Sequence, residues 1–148
     1  MIDASSRRLH RAFLDRTLAK EEWDHRAHLT VCWVTLDDRT PEAALGELRA
    51  AIRAYNEATG VANTATGGYH ETITRYFVGA GAALRAPTIE HVLADDRCRR
   101  TAPFDHWSRE LLLSTDARLN WRAPDVAPLP WGDPFTDRPS AHAPPQPA

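Results

Sequence analysis

Hydrophobic positions along the chain recur at helical spacing, not in the strict alternation of strands. Leu9 and Phe13, with Ala12 beside them, predict a first helix over residues 6–15. A second is expected over 19–36, carrying Leu29, Cys32 and Leu36 on one line. Asp37, Asp38 and Arg39 make a turn, and Thr40 then stands as an N-cap with Pro41 at the first helical position and Glu42 near the positive end of the dipole. That third helix runs to about residue 58, with Leu45, Leu48, Ile52 and Tyr55 on its inner face and Gly60 as its stop. Residues 60–68 read as a loop by composition. A fourth helix is expected over 69–85, with Ile73, Phe77, Ala80 and Leu84 inward, ending before Pro87. Thr88 caps a fifth over 89–97, and shorter helices are expected over 104–113 and 115–121. The fold expectation is all-α: an antiparallel helical bundle of four main helices plus short helices.

Proline changes the picture at one end. Of 11 prolines in 148 residues, only Pro41, Pro87 and Pro103 precede residue 124. Proline lacks an amide donor and disfavours helix in the residue before it. Residues 1–123 therefore read as the helical domain and 124–148 as an extended, partly disordered tail. Val126, Leu129, Trp131 and Phe135 are placed to lie along the body, and disorder is expected from Asp137 onward. The composition is 43% hydrophobic and 26% charged, with a formal charge of −2, which disfavours a nucleic-acid or acidic-membrane partner. No apolar run approaches the ~18 residues of a membrane span, and the first eight residues lack the apolar core of a signal peptide. The expected compartment is the cytoplasm, and two cysteines exclude a disulfide framework or an all-cysteine zinc site.

Candidate chemistry gathers on two segments. Glu22, His25, His28 and Cys32 are three or four residues apart and would share a face of the second helix. His70 opens the buried line of the fourth helix, with Tyr69 and Glu71 as neighbours. In an up-down-up-down bundle the second and fourth helices run parallel, so their histidine-bearing ends would meet beneath the loop 60–68. The expectation is a metal site: His25, His28 and His70 as ligands of a divalent transition metal (iron, zinc, copper or nickel), with Glu22, Glu71 and Tyr69 as catalytic groups. The protein would be a small metal-dependent enzyme acting on a small polar molecule. A di-iron site would need the E-x-x-H motif twice plus two further carboxylates, and the chain holds no second copy of the motif.

Each histidine taken singly has a plainer reading as a hydrogen-bonded core residue. A metal-free alternative pairs His70 with Glu71, or His25 with Glu22, for acid–base work. Tyr69, Asn56, Asn63, Thr72 and Thr74 would orient the substrate, and Arg75 would pair with Glu71 or hold a carboxylate. The loop through Asn63, Thr64 and Gly68 leads into a helix and offers amides to an anion, though simple capping explains it as well. A third alternative is a non-enzymatic helical binding module using this loop and the tail.

Two stretches, Glu22-Trp23-Asp24-His25-Arg26-Ala27-His28-Leu29 and Gly68-Tyr69-His70-Glu71-Thr72-Ile73-Thr74, resemble signature segments of a family of small uncharacterised bacterial proteins. Its patterns read approximately E-W-x-H-x-A-H-L and G-Y-H-E-T-x-T. The resemblance spans about residues 10–130, leaves out the end of the tail, and implies no activity. It implies only that the residues reached by helical spacing belong to that family's motifs.

Overall fold

A computed structural model of the chain describes residues 1–132 and 134–135, and the expected disorder from Asp137 lies outside them. The described residues form helices and loops, with no strand. The elements are α1 (Ala4–Leu14), α2 (His25–Thr35), α3 (Pro41–Ala58), α4 (Glu71–Leu84), α5 (Ile89–Ala94), α6 (Arg109–Leu112) and α7 (Thr115–Leu119). Three 3-10 turns, Lys20–Glu22, Asp96–Cys98 and Ala102–Asp105, join them. No helix among the described residues is long and apolar enough to cross a membrane.

Local capping sets the helix starts. Asp3, Asp24, Thr40, His70, Thr88, Ser108 and Ser114 each accept a backbone amide at the head of a helix. Two of these caps move boundaries that periodicity placed elsewhere. Asp24 accepts from Ala27 N, so α2 starts at His25 and not near residue 19. His70 accepts from Ile73 N, so it stands before α4 and not on its buried line. The expected helix over 104–113 is instead a 3-10 turn followed by one turn of α6, because Ser108 starts a new helix between them.

α2 lies at the centre and packs against α1, α3, α4 and α5. Burial on most sides explains its apolar run, since Ala27, Leu29, Val31, Cys32 and Val34 are all covered. Its buried Thr30 and Thr35 hydroxyls donate back to Arg26 and Val31 carbonyls at 2.8 and 2.7 Å, which avoids burying unpaired polar atoms. One core cluster joins Phe13, Val31, Leu45, Leu48, Tyr55 and Val78. The other joins Leu29, Tyr76, Ile89, Val92, Trp107 and Leu112. Each large apolar side chain so buried contributes about 1.5–3 kcal/mol before entropy is counted.

After α7 the described residues run without helix and are tied down at several points. Thr72 Oγ1 on α4 donates to Asn120 O at 2.8 Å and accepts from Arg122 N at 3.1 Å. Trp107 Nε1 donates to Arg122 O at 2.9 Å, and the Asp125 carboxylate receives both Ser108 N and Ser108 Oγ. Leu129 and Trp131 pack on the second cluster and Phe135 on the first, whereas Val126 is exposed. Gly79 makes room for this segment: a Cβ there would stand 2.9 Å from Trp131 Nε1.

Candidate functional site

The hollow that gathers most of the chemistry lies where α3, the 60–70 loop, the start of α4 and α7 meet. It measures about 360 Å³ and is lined by Arg49, Arg53, Asn63, Thr64, Tyr69, Glu71 and Arg118, among others. Arg49 and Arg53 are four residues apart on α3, which puts them on one face. Tyr69 and Glu71 come from the loop end and first turn of α4, and Arg118 from α7.

The loop is held in shape by its own amides and side chains. Asn63 Oδ1 accepts from Asn56 Nδ2 at 3.0 Å and from Tyr69 N at 3.0 Å. Asn63 Nδ2 donates to Arg53 O and to Glu57 Oε2. Gly68 has φ +81°, and a Cβ there would stand 2.5 Å from Ala62 O, so the turn into α4 needs glycine. Arg118 Nη1 donates to Gly68 O at 2.8 Å and closes the loop against α7.

Inside the hollow the polar groups divide into matched and unmatched. Arg49 grips Glu71 with both arms of its fork, Nε to Oε1 at 2.9 Å and Nη2 to Oε2 at 2.8 Å. The Tyr69 hydroxyl donates to the same Oε1 at 2.9 Å. Burial pushes the Glu71 carboxyl up, but the bonds from Arg49 and Tyr69 and the nearby positive charge outweigh it and hold the group below its ordinary range. Burial first, then the Glu71 charge, keeps the Tyr69 phenol protonated. Its hydrogen bond to Glu71 holds Arg49 charged. Among the described residues no carboxylate pairs with Arg53 or Arg118.

No protein-family model, curated protein or solved structure matches the chain.

The three histidines expected to share a metal are not brought together. His25 donates from Nε2 to Cys98 O at 2.8 Å, on the side of the Asp96–Cys98 turn. His28 packs against Trp23 at a tilt of 56°, ring centroids 3.8 Å apart, and is an exposed residue. Crowding of the ring, then the neighbouring His25, lowers its pKa. His70 is buried, accepts from Ile73 N at Nδ1 and donates from Nε2 to Leu112 O at 2.8 Å, so the bonds leave neither nitrogen for a metal. Among the described residues no three His, Cys, Asp or Glu side chains group as a metal would require. The donor set therefore does not fit the expected ion.

The other candidates separate in the same way. Glu22 ends the Lys20–Glu22 turn, is exposed, and does not share a helix with His25. Asn56 and Asn63 hold each other, Thr72 clasps the chain after α7, and Thr74 donates back to His70 O. Arg75 lies over Trp121 at 4.1 Å and Phe135 at 4.4 Å, and the ion pair to Glu71 comes from Arg49. Tyr69, Glu71, Asn63 and Thr64 do line the hollow. Arg49, Arg53 and Arg118 carry no motif that marks them in the sequence. The four-residue spacing of Arg49 and Arg53 was the available signal.

Proposed function

We propose that the protein binds a small anionic molecule in the hollow between α3, the 60–70 loop, α4 and α7. The observation that carries this reading is the surplus of positive charge there: Arg53 and Arg118 face a concave space with no carboxylate partner among the described residues, while Arg49 neutralises Glu71. Guanidinium groups in a recess are the natural receptors of carboxylate and phosphate. The size supports a small ligand, because pockets for such molecules start near ~300 Å³. The helices behind it are read as a four-helix frame that keeps both arginine-bearing walls in place.

Titration calorimetry of the full chain at low salt, against small anions and glycerol, tests the reading. The expected result is saturable binding of an anion that weakens with added salt and falls about tenfold or more in Arg53→Gln. Binding of no anion beyond glycerol, or binding indifferent to that substitution, rejects it.

The Tyr69–Glu71 hydrogen bond, at 2.9 Å and inside the same hollow, favours one second reading: metal-free acid–base chemistry on the bound anion. That reading requires turnover of an anionic substrate that survives chelation and is abolished in Tyr69→Phe while affinity holds.

A further inference from the structure

Resting on that anion-binding reading, we infer that the ligand is a small dianion, either a phosphomonoester or a short dicarboxylate. The hollow holds three guanidinium groups and one carboxylate, and the Arg49–Glu71 pair is closed on itself. Two positive charges remain, and they belong to different walls. Arg53 projects from α3, whose backbone is tied to the loop by the bond from Asn63 Nδ2 to Arg53 O at 3.1 Å. Arg118 projects from α7 and is pinned by Gly68 O at 2.8 Å, which fixes one arm of its fork and leaves the other donors available. A single negative charge can neutralise one of these cations and leaves the other facing it across the recess. A dianion satisfies both.

Size restricts the choice further. About 360 Å³ lies near the small end of the ~300–1,000 Å³ range of small-molecule pockets, which suits a compact ligand. The Thr64 hydroxyl, which accepts from Thr66 N at 3.2 Å, lies on the same lining and adds a neutral contact for the ligand's uncharged part. Glu71 faces the ligand too, and its negative charge disfavours any anion that fails to reach both arginines.

The experiment is a calorimetric series on the full chain at about pH 8, well above the second phosphate ionisation near 6. The probes are glycerol 3-phosphate, succinate, dimethyl phosphate, acetate and glycerol. The expected result is that at least one dianion binds about tenfold or more tighter than either monoanion, a 1.4 kcal/mol difference. In Arg53→Gln the dianion should fall to the level of the monoanions. Glycerol 3-phosphate alone binding identifies a phosphomonoester site, and succinate alone a dicarboxylate site. Either supports the inference. Monoanions binding as tightly as both dianions overturns it and leaves the anion pocket standing. No anion binding above glycerol overturns both. Because Arg118 also braces the loop, Arg118→Lys serves beside Arg118→Gln: retained charge with most of the affinity is expected in the first and loss in the second. Equal affinity in the two rejects a charge role for this residue.

Discussion

At the head of α2, Trp23 lies between Phe13 at 4.6 Å and the His28 ring at 3.8 Å, and His25 reaches across to Cys98 O. At the head of α4, His70 caps the helix and reaches Leu112 O, while Tyr69 and Glu71 turn toward a hollow shared with three arginines. The two segments carry the same kinds of residue in sequence. In the fold, one meets aromatic rings and a backbone carbonyl, and the other borders unbalanced charge. The difference teaches that a histidine at a helix head says little about function until its nitrogens are accounted for. Here they serve structure, and the surplus of positive charge sits on arginines brought in from α3 and α7.

The largest expected effect separates the two histidines as structural parts. His70→Ala removes an N-cap, about 1 kcal/mol, and a donor to a carbonyl in the core, about 1–3 kcal/mol, so a loss of about 2–4 kcal/mol is expected. His25→Ala removes one partly buried bond, and about 1 kcal/mol is expected. Urea denaturation of both variants measures the gap, and an equal or larger loss in His25→Ala would break the comparison.

The next effect concerns the hollow itself. Glu71→Gln removes the one negative charge on its lining and frees the Arg49 fork, so anion affinity should rise severalfold. The side chain of Glu71 is 13% exposed but that of Arg49 is 44% exposed, which limits the loss of stability to about 1 kcal/mol. Calorimetry and thermal melting on one preparation read both quantities. A fall in anion affinity would mean that Glu71 contacts the ligand favourably and that the charge accounting is wrong.

What was legible in the sequence follows from where the determining interactions lie. α3 was readable end to end because Thr40, Pro41 and the inward Leu45, Leu48 and Tyr55 act within the helix. The start of α2 was misplaced because the helical pattern continues backward through residues 19–24, and only the Asp24 cap breaks it. Periodicity sets His70 inside α4 because histidine is an uncommon cap and its position fits the apolar line. Those two shifts undid the expected metal constellation. The α4 side of the hollow is more legible than its other walls, because Tyr69, Glu71 and the Asn63 loop are close in sequence. Arg118 was beyond reach because it meets Gly68 across 50 residues, and nothing local in α7 marks it. Arg49 and Arg53 looked like an ordinary solvated helix face.

The smallest expected effect comes from protonation of His70 and tests whether the α4 head is held by a neutral imidazole. Desolvation is the main cause that lowers its pKa in the fold, beneath an ordinary value near 6.5. The unfolded chain therefore takes up the proton first as pH falls. The stability that neutral His70 provides is fully present above about 6.5 and is lost progressively as pH drops toward the folded pKa. His10 and His28 are lowered in the same sense, so the wild-type protein should weaken between pH 7.5 and 5.5 on their account as well. Comparison with His70→Asn isolates the one group, because asparagine keeps a cap acceptor and does not titrate. The variant should be less stable at pH 7.5, and its deficit should narrow at pH 5.5. Glu71 does not blur the result, since its carboxyl titrates below its ordinary 4.5, outside this window. A deficit that stays constant across the two pH values would show that His70 keeps its place in the charged form as readily as in the neutral one. The hydrogen bond from Ile73 N to Nδ1 would then have to be given up, because a charged imidazole has no acceptor to offer there.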